Sequence, residues 1–189
     1  LAYGGANYGL AAAYTYSSGY GLYGGNGTPP AVAGFGSNNA NSVGLSAYFS
    51  PLNSRWFPSI STGWGINTYV GNSYATPYTT ASSGYTTPIA VGSQASQSWY
   101  LGFQWADALL KGNTLGFAFG QPTYMTSASS GTPNDGNYAW EWWYKMQVTD
   151  NISVTPALYY LSAPLGQLQK DSGQSFNSFG GLVKTTFRF

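Results

Sequence analysis

Apolar and polar residues alternate along this chain in a series of separate segments. Alternation with a period of two is the pattern of a β-strand whose two faces meet different surroundings. Most segments are close to the roughly 9–11 residues with which a tilted strand crosses a bilayer, so the pattern predicts an all-β fold, a transmembrane antiparallel β-barrel. The predicted strands, roughly eight in number, are residues 7–16, 42–51, 59–67, 98–106, 115–120, 138–149, 152–160 and 176–189.

The segment 138–149 indicates which strand face meets water. Trp140, Trp142 and Tyr144 share one face, whereas Glu141 and Lys145 share the other. A Lys or Arg side chain on the lipid face costs about 2–4 kcal/mol at the bilayer midplane, so we expect the charged face to line a water-filled lumen. The residues predicted to line the lumen are Tyr100, Gln104, Glu141, Trp143, Lys145, Gln147, Tyr159, Lys184, Thr186 and Arg188.

The connections between the strands alternate between short turns and long polar loops, as the two rims of a barrel require. The longest polar segment, residues 70–97, has no charge and is predicted to be an extracellular or constriction loop. Pro156 fits poorly in a central strand, because it has no N–H for the ladder. The glycines expected to face inward and leave room in the lumen are Gly63, Gly65, Gly102, Gly116 and Gly120.

Aromatic residues concentrate near the predicted periplasmic ends of the strands. Such rings form girdles where a barrel crosses the interface between lipid and water. The predicted girdle residues are Trp56, Phe57, Trp105, Phe187 and Phe189.

The composition supports a membrane location over a soluble one. Only 6% of residues are charged, 18% are aromatic, and the mean hydropathy is −0.17. A soluble β-sandwich would need charges on its outer face that this sequence lacks. No stretch approaches the roughly 20 apolar residues of a membrane helix. A disordered low-complexity segment is the other reading of a chain rich in Gly, Ser, Asn and Tyr, but such segments lack sustained alternation.

The chain contains no Cys and no His, which removes disulfides, thiol nucleophiles and Ser-His-Asp sites. We therefore predict no catalytic residue, no metal site and no cofactor, and a barrel enzyme is the least favoured function class. The net charge of +1 argues against a nucleic-acid partner. We expect contact with outer-membrane lipid instead.

The lumen charges and aromatics leave alternatives open. Glu141 and Lys145 are about 13 Å apart along one strand face, so they either set a field with Lys184 or bond to neighbouring strands. The first arrangement implies weak anion preference or none. Tyr100, Trp143 and Tyr159 either stack on sugar rings or pack beneath an inward-folded loop.

Six segments in the second half of the chain carry a family resemblance: 102–109, 111–113, 120–122, 137–145, 149–156 and 179–189. They resemble the C-terminal barrel of cyanobacterial outer-membrane porins in the OprB-like carbohydrate-selective porin family. The resemblance is specific over residues 102–189 and generic before them.

The resemblance implies a barrel of about sixteen strands, commonly a homotrimer, preceded by a surface-layer-homology domain that binds peptidoglycan. Residues 1–189 would then be the C-terminal part of the barrel domain, and Leu1, which is not an initiator Met, would lie inside a longer protein. The alternative is a small eight-stranded barrel that closes alone. Phe189, with Phe187, Val183 and Phe179 at alternate positions before it, resembles the C-terminal signal read by the outer-membrane assembly machinery.

The function implied is a passive aqueous channel for small hydrophilic solutes, inorganic ions and sugars among them, in the outer membrane of a bacterium of cyanobacterial type. The alternative is a structural barrel with a plugged lumen that anchors the envelope. The radius of the lumen separates the two.

Overall fold

Strands form wherever the period-two alternation is sustained. The structure, a computed structural model, describes residues 1–18, 27–32, 39–51, 56–70, 93–129 and 131–188. They form one antiparallel sheet of nine strands in sequence order. The strands are β1 Ala2–Gly4, β2 Tyr8–Ser17, β3 Asn39–Phe49, β4 Ser59–Val70, β5 Ser93–Ala106, β6 Thr114–Ala128, β7 Tyr138–Thr149, β8 Ile152–Ser162 and β9 Asn177–Phe187.

The predicted antiparallel all-β fold is confirmed, and the differences lie at the ends of the strands. β1 has three residues, too few to show an alternation. β6 reaches Ala128, although its prediction ended at 120. The alternation breaks at Gln121 and Pro122, where β6 contains an irregularity in its register with β5. Pro122 needs no partner on the β7 side, because the pairing with β7 ends at Gly120.

Pro156 lies inside β8, so the predicted strand is confirmed, and the poor fit expected of a proline appears as a gap in one of the two ladders of β8. Its pairing with β9 is continuous, through Pro156 and Val183. The pairs with β7 stop at Ala157 and resume at Val154. The missing N–H therefore falls on the β7 side, and the sheet accommodates the proline by interrupting a single ladder.

The sheet is open rather than closed on itself. Within the described residues, β1 and β9 are edge strands that do not pair with each other, so the small self-closed barrel is not formed. The short turns and the end of β9 lie at one end of the strands, here called the short-turn end. The long connections lie at the opposite end, here called the long-loop end. The turn at 52–55, most of the predicted loop at 70–97 (71–92) and Phe189 lie outside the described residues.

Helical structure is confined to the long-loop end. Residues 29–32 are helical, and helix α1 spans Gln167–Asp171. The sequence predicted neither, since each is about one turn long and shows no periodicity. No helix in the described part of the chain is long and apolar enough to cross a membrane.

Few hydrophobic side chains are buried. Those in the described residues are Ala31, Ala40, Met125 and Ala157, while Val183 and Phe187 on β9 are 69% and 58% exposed. A sheet with so much exposed apolar surface is stable only against another apolar medium.

Candidate functional site

The register of the strands sorts their side chains into two faces. Direct cross-strand partners point to the same side of a sheet. The face with the strand charges, here called the polar face, carries one row from β2 to β9 formed by Gly9, Tyr48, Ser61, Gly102, Ala118, Glu141, Tyr159 and Gly180. The opposite, apolar face carries the row Leu10, Ala47, Thr62, Leu101, Phe119, Trp140, Tyr160 and Phe179.

The predicted lumen residues within the strands all lie on the polar face. Gln147 and Thr186, for example, both flank Ser153 of β8. Arg188 follows β9, and its backbone N–H donates to the Asn151 carbonyl at 2.9 Å, which extends the strand by one bond. The structure thus brings these residues together on one surface, and their contact with a channel stays a prediction. The members within the strands are Tyr100, Gln104, Glu141, Trp143, Lys145, Gln147, Tyr159, Lys184 and Thr186.

The charges on the polar face are separated from one another. Lys145 and Lys184 lie at nearly the same height on either side of β8, about 10 Å apart at the usual strand spacing. Glu141 lies about 13 Å from Lys145 along β7, nearer the long connections and opposite Tyr159. None of the three bonds to another described residue, so the alternative in which Glu141 and Lys145 bond to neighbouring strands is not observed there.

Four aromatic side chains of the polar face lie over glycines of the adjacent strand. We call these contacts the ring–glycine pairs; they are Tyr48 with Gly9, Tyr100 with Gly63, Trp143 with Gly116, and Tyr159 with Gly180. A Cβ added at Gly63 would lie 2.5 Å from Cε1 of Tyr100, and one added at Gly116 would overlap the Trp143 indole. Only glycine fits beneath such a ring.

The ring–glycine pairs correct the expectation that inward glycines leave open space. The space above Gly63 and Gly116 is filled by rings, and Gly120 approaches the backbone of Trp99 and Tyr100. A Cβ at Gly102 would lie 2.9 Å from the Ser61 hydroxyl. Sequence reasoning missed this because the pairing needs the strand register, which alternation alone does not fix.

A groove nevertheless runs across the half of the polar face that is nearer the long-loop end, here called the upper polar face. Its volume is about 760 Å³, and small side chains of β2 to β7 form its floor. Tyr100, Glu141 and Tyr159 lie along it. A smaller cavity of about 150 Å³ lies nearer the short turns and is lined partly by Tyr48, Gln104 and Trp143.

Aromatic rings occupy both ends of the apolar face. At the short-turn end, Phe57 contacts Phe49 edge-on at 6.3 Å, and Trp105 stacks on Phe103 at 6.2 Å. Trp56 and Phe187 lie at the same end, while Phe189 lies outside the described residues. Their girdle role stays a prediction.

A second aromatic group at the long-loop end was missed by the sequence reasoning. Trp140 lies 5.7 Å from Tyr138 and 5.7 Å from Tyr160. Phe179 is the cross-strand partner of Tyr160. The alternation placed Trp140 on the correct face, but its height in the sheet required the register.

The long-loop end is held by a buried carboxylate. Asp135 is 2% exposed and accepts hydrogen bonds from the Thr28 hydroxyl, from Met125 N–H at 2.7 Å and from Gln167 N–H at 2.9 Å. These residues, together with Thr123, are called the loop cluster. Thr28 N–H also donates to the Thr123 carbonyl at 2.8 Å. The pairing of β6 with β7 ends at Gly120. Beyond that residue, the cluster supplies hydrogen-bond partners for the backbone carbonyl of Thr123 and the N–H of Met125.

Burial raises the pKa of the Asp135 carboxyl, which lies outside the strands. The hydrogen bonds from Thr28, Gln167 and Met125 and the charge of Lys170 act in the opposite direction. The Lys170 ammonium donates to the Gly136 carbonyl at 2.8 Å.

Residues 27–32 lie across the upper polar face, where Thr28 is bonded to the loop cluster. The Tyr69 hydroxyl of β4 lies 2.7 Å from the Ser96 hydroxyl and 3.4 Å from the Ala31 carbonyl, to which it donates. The segment therefore begins beside Thr123 of β6 and runs toward β4, where Ala31 lies beside Tyr69. No group of three or more His, Cys, Asp or Glu side chains that suits a metal ion occurs in the described residues.

Comparisons with known proteins agree with this geometry. The sequence profile of the family described as carbohydrate-selective porin, OprB family, matches residues 5–189. A protein of Nostoc sp. (strain PCC 7120 / SAG 25.82 / UTEX 2576), described as uncharacterized protein alr4550, is 29% identical over 157 residues, which are 80% of this chain and 22% of that protein. This chain therefore spans about one fifth of the length of that relative, given the 22% coverage. No solved structure matches. The chain belongs to the OprB family of carbohydrate-selective porins, proteins of the bacterial outer membrane.

Proposed function

We propose that this chain forms part of the wall of a water-filled channel through which small hydrophilic solutes, inorganic ions and sugars among them, diffuse passively. The observation that carries the proposal is the separation of the two faces. The charges within the described strands, Glu141, Lys145 and Lys184, all lie on the polar face. The apolar face carries large aromatic and aliphatic side chains, as a lipid-facing surface requires.

The channel wall acts by its field and its shape, without covalent chemistry. Lys145 and Lys184 are about 10 Å apart, close to the Debye length of about 8 Å at physiological ionic strength. Their potentials overlap only weakly in open water and more strongly in a narrow lumen bounded by low-dielectric walls. Glu141 lies above them and reduces the net field. The wall therefore favours anions weakly.

We further propose that residues 1–189 are the C-terminal part of a barrel of about sixteen strands. Within the described residues, the outer edges of β1 and β9 pair with no other strand, and this supports the proposal because unsatisfied backbone groups cannot face lipid. Upstream strands would pair with these edges. The homotrimer, the peptidoglycan-binding domain and the assembly signal ending at Phe189 belong to the same proposal.

A structural barrel with a plugged lumen is the second candidate. The passage of residues 27–32 across the upper polar face favours it, because a loop in that position narrows the lumen. The two candidates differ in whether the folded protein conducts.

Single-channel recording of the full-length parent protein in a planar bilayer tests the proposal. We expect stable openings with weak anion preference, and we expect the reversal potential to move toward cation preference in the double variant Lys145→Gln, Lys184→Gln. Lys111→Gln, in the exposed turn between β5 and β6, is the matched control with the same charge change. Folded protein without conductance would contradict the channel and support the plugged barrel.

A further inference from the structure

The turn between β5 and β6, residues 107–113, carries two leucines on its surface. Leu109 and Leu110 are 89% and 67% exposed. Adjacent apolar side chains left in water cost free energy, and such patches mark contact with a partner or a membrane. The short turn between β7 and β8 carries Asp150 and Asn151 instead. The leucines are therefore a property of this particular turn and not of every short turn.

The backbone of the turn is left-handed at three positions. Asp107, Leu109 and Gly112 have φ values of 54°, 64° and 87°. Glycine adopts this conformation freely and aspartate tolerates it, whereas leucine adopts it at a cost in free energy. Strain kept at an exposed residue points to a use for its side chain. Leu109 is therefore retained where a glycine or an asparagine would be less strained.

Hydrogen bonds hold the turn in one conformation. The Asp107 carboxylate accepts from Gly112 N–H at 2.7 Å, and Asn113 N–H donates to the Leu110 carbonyl at 3.1 Å. The buried Asn113 side-chain oxygen accepts from Gln147 N–H of β7 at 2.9 Å. The leucines are thus presented on an ordered frame, which lowers the entropic cost of inserting them into another medium.

The same turn is tied to the apolar face of the sheet. The Tyr144 hydroxyl donates to the Ala108 carbonyl at 3.0 Å and accepts from the Asn113 side-chain amide at 2.8 Å. Tyr144 lies on the apolar face, since its partner on β6 is Leu115, which in turn pairs with Trp105 of β5. The apolar surface of the strands therefore continues into the turn.

A second apolar segment lies at the same end of the sheet. Trp56, which precedes β4, is 88% exposed, and its neighbour Phe57 contacts Phe49 on the apolar face. Tryptophan side chains favour the interface between lipid and water. The short-turn end thus presents large apolar side chains beside the apolar face at two connections, the segment before β4 and the turn 107–113.

We propose that Leu109 and Leu110 form a membrane-interface anchor. They enter the boundary between headgroups and acyl chains of the phospholipid leaflet at the short-turn end, and so fix the depth of the wall in the bilayer. Continuity with the apolar face favours phospholipid over a protein partner as the occupant. The anchor goes beyond the proposed channel, because it depends on the outer-membrane location and not on conduction.

The test places a single environment-sensitive fluorophore on the full-length protein freed of any other cysteine, in phosphatidylcholine vesicles. The labelled variants are Leu110→Cys, Asp150→Cys in the polar turn as the matched control, and Leu158→Cys in the middle of the apolar face. Brominated lipids quench a label in the bilayer, and iodide quenches one in water. Lipids brominated near the headgroup or near the chain end report its depth.

We expect the label at 110 to lose emission with lipids brominated near the headgroup and to be little affected by iodide. The label at 150 should show the reverse, and the label at 158 should lose most emission with lipids brominated near the chain end. Leu109→Asn, which suits the left-handed backbone but is polar, should lessen the lipid quenching at 110. Tyr144→Phe should do the same by freeing the turn, and Tyr160→Phe, at the long-loop end, should not.

Iodide quenching at 110 equal to that at 150 would overturn the anchor and place the turn in water. A label at 110 that is shielded from both iodide and brominated lipid would overturn it in favour of a protein partner. Lipid quenching at 110 that neither Leu109→Asn nor Tyr144→Phe lessens would also overturn it, because the fluorophore and not the turn would then be seeking the lipid. The proposed channel stands after any of these three results.

Discussion

The strand wall and the loop cluster are stabilised in opposite ways. The wall, β2 to β9, buries little of its own apolar surface; Phe179 and Val183 are each 69% exposed. Of the four largest fully buried side chains in the described residues, three belong to the loop cluster, namely Thr28, Met125 and Asp135. The wall therefore depends on its surrounding medium, whereas the cluster depends on hydrogen bonds made within the protein.

This difference has a physical basis. In the wall, the backbone groups pair along the ladders between neighbouring strands, and in the proposed channel lipid would cover the side chains of the apolar face. At the long-loop end the ladder between β6 and β7 stops, and the exposed edge of β6 needs other partners. Asp135 and Thr28 supply them at the cost of burying a carboxylate.

The largest expected effect breaks the wall from its apolar face. Val183→Lys places an ammonium on that face and should lower the free energy of unfolding by about 2–4 kcal/mol. Leu182→Lys, on the neighbouring residue, faces the polar side and should cost much less. Denaturant unfolding of the full-length protein in lipid vesicles measures both, and equal costs would refute the assignment of the faces.

The next effect is confined to the loop cluster. Asp135→Ala leaves the buried N–H of Met125 and the partly buried N–H of Gln167 without acceptors, which should cost about 1–3 kcal/mol at Met125 and less at Gln167. Amide exchange at these two positions should accelerate, while exchange in β8 stays unchanged. Asp135→Asn should be intermediate, because its amide oxygen replaces one of the two carboxylate oxygens. Acceleration throughout the wall would show that the two regions unfold as one.

A glycine comparison within the polar face sharpens the account of the wall. Gly116→Ala forces the Trp143 ring to move and should cost about 1–3 kcal/mol by overpacking. Gly44→Ala, where a Cβ would meet nothing within 4 Å, should be neutral or slightly stabilising. The same unfolding assay compares them. Equal costs would show that the ring–glycine pairs contribute nothing to stability.

The smallest effect is the pH dependence of the loop cluster. Because burial raises the pKa of Asp135 in the folded cluster, the folded form binds a proton more readily than the opened form. The cluster should gain stability as pH falls from neutral through the raised pKa, and the gain should end near the unfolded value of about 3.9. Exchange at Met125, corrected for its intrinsic pH dependence, measures this. Stability that falls over that range would contradict the direction.

The same contrast explains what the sequence predicts. Alternation in 138–149 identifies β7 with both bounds and both faces, because a strand whose two faces meet different surroundings shows a period of two. β6 beyond Gly120 is missed, because Gln121 and Pro122 interrupt that period. The period-two alternation that identifies the strands also places the predicted lumen residues of those strands on one face.

No pattern in the sequence predicts the loop cluster. Thr28 and Asp135 are 107 residues apart, and neither lies in a periodic segment. Likewise, no local pattern pairs Tyr159 with Gly180 or Trp143 with Gly116. Such contacts follow from strand register and loop closure, which a single sequence does not specify.

The most direct test of the separation of faces uses the absence of cysteine in this chain. Single cysteines at each position of β7, Tyr138–Thr149, are introduced into the full-length protein freed of any other cysteine, and each is treated in the outer membrane with a charged, membrane-impermeant thiol reagent. We predict labelling with a period of two, strong at 139, 141, 143, 145 and 147 and weak at 140, 142, 144 and 146. Labelling that is uniform along the strand, or strong on the face of Trp140 and Trp142, would contradict a wall with water on one side and lipid on the other.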